Sequence, residues 1–417
     1  MAKDFIQRIG TIVLAGGQGT RLYPLTAHRC KPAVTFGGHY RLIDIPLSNS
    51  LNAGISQIFV ISQHFAADLH QHILSTYQFD MFRDGRLELL TPQEAMGQKS
   101  WFKGTADAVR QNLPFILKCS AEYFLILSGD QLYNMDLLEM LRFTEQKQAD
   151  LVVASLPVSN SEAKRMGLMK VSRENLITNF AEKPKDPAIL KQYELPSGRH
   201  LASMGIYIFK REALISLLEQ EGDDFGCNLI PRCMEKGHVF AYPYEGYWED
   251  IGTIGSYYRA NLLLTDNQGL DLYQEEQRIY SRPQNVPNAR IGNTRMSRSI
   301  ISGGATIDAE EISHSIVGLR CKVEKGTVIK DSIINGHRSY HPFLEKVSAS
   351  GQHFSIGKDC LIEKTIVDEE ALIGNRVKLI NREKLEHYDG EGIYVRDGIV
   401  VVTSGTELPD DFVFLSL

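Results

Sequence analysis

The sequence predicts a mostly parallel, Rossmann-like α/β sheet over residues 1–267, then a linker at 268–288 and a parallel β-helix over 289–417. Three observations predict this. Short apolar runs alternate with helical patterns as far as Asn267. Helical periodicity then stops in a polar stretch carrying Pro283 and Pro287. Beyond it, aliphatic residues return every five or six positions, the signature of coils that stack one side chain on the next.

The strands of the first region are "TIVLAGG", "QIFVISQ", "YFLILSGD" and "DLVVASLPV". "FLIL" is apolar at consecutive positions, as required of a strand covered on both faces. "TADAVRQNLPFIL" and "REALISLLEQ" space their apolar residues for one helix face. The repeat series runs Ile301, Ile307, Ile312, Val317, Val323, Ile329 and Ile334, then Ile356, Ile362, Val367, Ile373 and Leu379. An insertion, "GHRSYHPFLEKVSASGQH", separates its two halves.

A chain of 417 residues with 43% hydrophobic and 23% charged residues buries a sizeable core, and a formal charge of −6 argues against a basic face that grips nucleic acid. The six cysteines form no Cys-x-x-Cys pair and no zinc spacing, so a reduced, cytoplasmic protein is the simplest expectation. The opening "MAKDFIQRIG" has no signal-peptide pattern. The longest uncharged stretch carries Pro46, Asn49 and Asn52 and is a poor membrane span.

Chemistry concentrates at strand ends. "LAGGQGTRLYPLTAHRCKPAV" puts Gly16, Gly17 and Gly19 after a strand, yet it lacks the third glycine of a dinucleotide fingerprint and the Lys of a Walker loop. It reads either as another kind of anion cradle, with Arg21 and Lys31 supplying charge, or as a tight turn with surface cations. Asp130 ends a buried strand, where a carboxylate suits a hard cation such as Mg2+ or simply caps a turn. In "GYWEDIGT" an extended backbone puts Trp248 and Asp250 on one face. "HLASMGIYIFK" offers Ser203, Gly205 and Tyr207 on one face, hydroxyls beside a gap that suit a sugar. Glu182 and Lys183 precede Pro184, which pushes Lys183 toward extended geometry. His70 and His72 point apart on a helix and make no metal site.

Together "LAGGQGTRLYPLT", "CKPAVTFGGHYRLIDIPLSN", "WFKGTADAVRQ", "SGDQLYNMD", "FAEKP", "ASMGIYIF", "DFGCNLIP" and "YWEDIGT" resemble the sugar nucleotidyltransferases, in particular the glucose-1-phosphate adenylyltransferases. The tail "EGIYVRDGIVVV" resembles their plant and cyanobacterial branch. The resemblance implies a catalytic domain followed by a left-handed β-helix, a cytoplasmic homotetramer, and adenylyl transfer from ATP to glucose 1-phosphate for glycogen or starch synthesis. It implies Arg21, Lys31 and Asp130 as catalytic residues and Mg2+ on Asp130 and Asp250. It assigns glucose 1-phosphate to Phe102, Gly167, Glu182, Lys183, Ser203, Tyr207 and Asp224. It assigns the nucleotide to Gly16, Gly17, Gly19, Thr20, Gln63, Trp101, Gly104 and Thr105. A phosphorylated effector is a possible partner. Three departures bear on these expectations: Phe102 lacks a frequent aromatic hydroxyl, His28 stands where many bacterial members carry a Lys, and no Lys follows Lys384. The last two weaken the expectation of phosphate-effector binding, with Arg29, Arg41 or Arg382 left as substitute cations. The rivals are transfer from UTP, dTTP or GTP, a catalytically silent regulatory subunit, and an acyltransferase built on His314, His337, His341 or His353.

Overall fold

The computed structural model describes residues 6, 8–79, 85–92, 101–338 and 355–414. Its first sheet is built on β1 (Ile9–Ala15), flanked by β2 (Gln57–Ser62) and β4 (Tyr123–Ser128), both parallel to it. On the far side of β2 lies parallel β3 (Arg86–Leu90). Beyond β4 runs the long antiparallel strand β9 (His200–Lys210). One edge of β9 pairs with β6 (Leu151–Val158) from His200 to Phe209, and β6 pairs in turn with β10 (Val239–Pro243). On its other edge, beyond the stretch paired with β4, Ala202 meets Leu168 of β7 (Gly167–Val171), which is bordered by β8 (Ile177–Glu182). Only β8 and β9 run against the common direction, so the sheet is mostly parallel.

The "FLIL" run behaves as its composition requires. Phe124 and Ile126 face α3 (Thr105–Ile116) and α5 (Arg211–Leu218). Leu125 and Leu127 face α1 (Asp44–Asn52), α2 (Ala66–Thr76) and α4 (Leu137–Gln146). All four side chains are fully buried. Burying such residues against helices on both faces is worth about 1.5–3 kcal/mol each before entropy is counted. Outside the sheet, β5 (Gln131–Tyr133) and β11 (Trp248–Asp250) form a two-stranded ribbon pairing Asp250 with Gln131. This ribbon ties two distant motifs together.

After α6 (Ile254–Thr265) the next strand begins at Arg290. The repeat series then stacks in three columns. Ile307, Val323, Ile356, Ile373 and Leu408 form one, and Ile312, Ile329, Ile362 and Leu379 another. Ile301, Val317, Ile334, Val367 and Val402 form the third. Three strands per coil make a three-sided β-helix. Most of the insertion, with His341 and His353, lies outside the described residues.

A fourth column belongs to the outside of the third side. Ile316, Ile333, Ile366 and Val401 stack in register, each one residue before an inward-facing neighbour. They are fully buried because α6 and the segment from Leu22 to Ile45 cover them. Tyr257 of α6 completes the junction, its hydroxyl donating to the Thr35 carbonyl at 2.7 Å. We expect Ile333→Ala to cost about 2–5 kcal/mol in urea unfolding, the range for truncating a buried aliphatic. A loss below about 0.5 kcal/mol, the size of a surface substitution, would contradict this burial.

Candidate active site

At the carboxyl ends of β1, β2 and β4 a cleft of about 600 Å³ opens, where ligands sit in open α/β sheets. Its centre is Lys31, which is buried on a short helical turn after the glycine loop. Lys31 Nζ lies 2.7 Å from Asp130 Oδ2 and 3.3 Å from Asp250 Oδ1. Ser128 donates to Asp130 at 2.5 Å. Burial alone would push the Lys31 ammonium down, but the two carboxylates outweigh it and hold it above its ordinary value. Burial would likewise push the Asp130 carboxyl up, but Lys31 and Ser128 hold it below its ordinary range. The two aspartates, far apart in sequence, therefore converge on one cation.

Gly19 makes this geometry possible. Its φ is +64°, and a Cβ there would lie 3.0 Å from Lys31 Cβ and 3.1 Å from Thr26 Cγ2. Thr26 donates to the Gly19 carbonyl at 2.9 Å, closing the turn. Gly16, Gly17 and Lys31 line the cleft. Arg21 and Thr20 do not. They are exposed on an adjoining hollow with Tyr23 and Arg396, and Arg21 lies toward Asp250: a Cβ on Gly252 would lie 3.7 Å from Arg21 Nη1 and 3.6 Å from Asp250 Oδ2.

Also lining the cleft, Lys183 pairs its Nζ with Glu182 Oε1 at 3.0 Å. The strand ends at Glu182, but Lys183 is not extended: its φ is +45°. The pre-proline bias yields here to a left-handed turn whose N–H is taken by the Met166 carbonyl at 3.2 Å. The Glu182 carboxylate is seated between two glycines. A Cβ on Gly226 would lie 2.5 Å from Glu182 Oε2, and one on Gly167 would lie 2.7 Å from it. Ser203 and Tyr207 line the same cleft, and burial pushes the Tyr207 hydroxyl far up, keeping it a neutral donor.

The other expected residues are partly structural. Gln63 accepts from the Phe102 N–H at 2.9 Å and so fixes Phe102 on the cleft wall. Trp101 is exposed and stacks on His64 at 4.6 Å, at the rim. Gly104 lets the Asp223 backbone approach the start of α3, and Thr105 donates to Asp224 at 3.1 Å. Asp224 also caps the following turn through the Cys227 N–H at 3.0 Å, while still lining the cleft. His28 is exposed. Arg29 is not a free cation: it is buried and paired with Asp368 and Glu369. Arg41 is likewise paired with Glu369, at 2.8 Å.

Gln131 was not singled out from sequence. Its amide donates to the Met204 carbonyl at 2.7 Å and accepts from Trp248 at 3.3 Å, bridging the aspartate ribbon to β9. Its place directly after Asp130 was the available signal. His64, Arg165, Met166 and Gly226 also line the cleft. His70 and His72 point to different partners, Ser62 and Asp44. His314 pairs with Asp331 and His337 with Glu370, so both have structural partners. All six cysteines are unpaired. No helix among the described residues is long and apolar enough to cross a membrane. No cluster of three or more His, Cys, Asp or Glu suited to a metal occurs among them.

A stability test follows from the pair at the centre. Asp130 is lowered in the folded state, so its attraction to Lys31 is present above its unfolded value near pH 4 and is lost as pH falls. Lys31 is raised, so the attraction is lost again as pH climbs past its folded value, above 10.5. Lys31→Met should therefore cost about 1–3 kcal/mol at neutral pH, and less at both extremes, in urea unfolding across pH. A pH-independent difference would sink the pairing.

Two family models match the chain. One, described as nucleotidyl transferase, covers residues 10–267. The other, described as the GLGC left-handed parallel beta-helix domain, covers residues 284–413.

Proposed function

Because the chain belongs to the nucleotidyl transferase family and carries this left-handed β-helix, we propose that it transfers adenylyl from ATP to glucose 1-phosphate, releasing pyrophosphate. One observation carries the reading. Lys31, Asp130 and Asp250 converge beside the glycine loop, and Glu182 and Lys183 line the same cleft.

The step joins a phosphate oxygen of the sugar phosphate to the α-phosphorus of the nucleotide and breaks the bond to the pyrophosphate. Holding two anions in line is the main task, since little covalent work falls to the protein. Lys183 places a positive charge for the sugar phosphate, and Glu182, Ser203 and Tyr207 offer partners for sugar hydroxyls. The open backbone at Gly16 and Gly17 admits a polyphosphate, and Lys31 stands beside it as fixed charge. Arg21, on the adjoining hollow, supplies positive charge for the pyrophosphate as it departs.

The donor set also fits Mg2+, a hard cation that takes one or two protein carboxylates and completes its shell with phosphate and water. The fit rests on Asp130 and Asp250, whose oxygens already converge on a single ammonium. Bound there, Mg2+ would lower the cost of charge on the leaving group.

Pyrophosphate release should be measured with glucose 1-phosphate and each nucleoside triphosphate in turn. Turnover is expected with ATP; preference for UTP, dTTP or GTP would refute the base assignment, and no turnover with any of them would refute the activity. Asp130→Asn should fold normally and lose about 100-fold or more in kcat. Gly226→Ala tests the sugar wall, because its added Cβ must displace Glu182. It should raise KM for the sugar phosphate about tenfold and leave that for the nucleotide within about twofold. Equal changes in both would remove Glu182 from sugar binding.

A further inference from the structure

Away from the cleft, the junction between the two domains encloses a cluster of charges. Arg29 follows the glycine loop, Arg41 lies on the strand Tyr40–Arg41, and Arg338 follows the β-helix strand Ile333–Gly336. All three guanidinium groups reach Glu369. Its Oε1 is 2.8 Å from Arg41 Nη1, and its Oε2 is 3.3 Å from Arg29 Nη1 and 3.0 Å from Arg338 Nη2. Thr35 donates its hydroxyl to the same carboxylate. Beside it, Asp368 takes the other edge of Arg29 at 3.2 Å and an Asn335 amide at 3.2 Å. Arg338 also grips Asp68 of α2 at 2.6 Å.

We propose that Glu369 is an internal anion: its carboxylate fills a three-arginine site between the domains that would otherwise take inorganic phosphate or the phosphate group of a small metabolite.

Among the described residues every side chain that bonds to Glu369 is a donor, and forked guanidinium groups match phosphate oxygens as they match carboxylate oxygens. Among the described residues the three guanidinium groups pair with Asp68, Asp368 and Glu369, so removing Glu369 takes away the one carboxylate that all three share. Space exists for a replacement. A polar cleft of about 400 Å³ borders the cluster and is lined by Thr35, Arg41, Arg338 and Glu369 themselves. Burial alone would push the Glu369 carboxyl up, but the three arginines outweigh it and hold it far below its usual range. A ligand tethered to the chain needs no concentration in solution to stay bound, so a free anion competes poorly with it. Arg29 is two residues from Lys31, so the filled site also fixes the loop that presents the ammonium to the catalytic aspartates.

The test uses the whole protein and inorganic phosphate, with sodium chloride of equal ionic strength as reference, and reads the thermal midpoint without substrates. The catalytic cleft itself attracts phosphate, so the comparison is between variants. Glu369→Ala and Glu369→Gln should gain a saturable, phosphate-specific rise of about 2 °C or more beyond that of the wild type. Adding Arg338→Gln to either should abolish the gain. Variants that respond to phosphate as the wild type does would overturn the proposal. Arg338→Gln alone, which alters a half-exposed side chain, supplies an independent reading. In the wild-type background it should leave the phosphate response unchanged, because the site is already filled. A reduced response there would show that the cluster binds external anions with Glu369 in place, and the proposal would fail. Neither outcome depends on turnover, so failure here is distinct from failure of the adenylyl-transfer reading.

Discussion

One buried ammonium, that of Lys31, organises the catalytic half of the molecule. A lysine costs several kcal/mol to bury alone and stays charged only because Asp130 and Asp250 compensate it. Each of the three comes from a different part of the chain: the loop after β1, the end of β4 and the ribbon strand β11. Their meeting requires the parallel order of the central strands, which brings the carboxyl ends of β1 and β4 side by side. It also requires the ribbon, which delivers Asp250 to the residue after Asp130. The sheet topology and the electrostatics of the site are therefore one constraint seen at two scales.

The same loop is fixed at its other end by the β-helix. Arg29 turns toward Asp368 and Glu369 while Lys31 turns toward the aspartates, and Cys30 between them is buried in the core. Two of the contacts by which the β-helix reaches the catalytic domain are unlike in kind, the apolar column Ile316, Ile333, Ile366 and Val401 and the charged cluster around Glu369. The first is non-directional and supplies burial. The second is directional and fixes register, because a guanidinium accepts few orientations on a carboxylate.

Much of this was legible in the sequence, for reasons that can be traced residue by residue. Strands covered on both faces must be continuously apolar, so "FLIL" announced itself, and stacked coils must repeat, so the inward columns were readable before any coordinates. The outward column was legible too, in the doublets Ile316–Val317, Ile333–Ile334, Ile366–Val367 and Val401–Val402, but a search for single aliphatics at six-residue spacing passes over it. Asp130 and Asp250 were recognisable as strand-end carboxylates, while their convergence depended on a ribbon pairing that no local pattern encodes. Arg29 and Arg41 were misjudged as free cations for a common reason. Sequence shows which charges exist, but not which opposite charge has already claimed them. Glu369 lies 340 residues from Arg29 and 328 from Arg41, and only folding reveals that they neutralise one another.

The glycine loop illustrates the difference between a residue required by the fold and one required by something outside it. Gly19 is needed by the protein itself, since any Cβ there meets Lys31 and Thr26 and the backbone has a positive φ. Gly17 is different: a Cβ at that position would meet nothing within 4 Å, and no special φ demands glycine. Gly16 is nearly as free, its nearest neighbour being Gln63 at an ordinary 3.5 Å. Both line the cleft beside Lys31. A glycine costs backbone entropy on folding, so one that relieves no internal contact is best accounted for by a ligand that must approach the bare backbone. The loop fits neither standard phosphate-binding spacing, and its glycines divide accordingly: Gly16 and Gly17 leave bare backbone on the cleft, while Gly19 packs against Lys31.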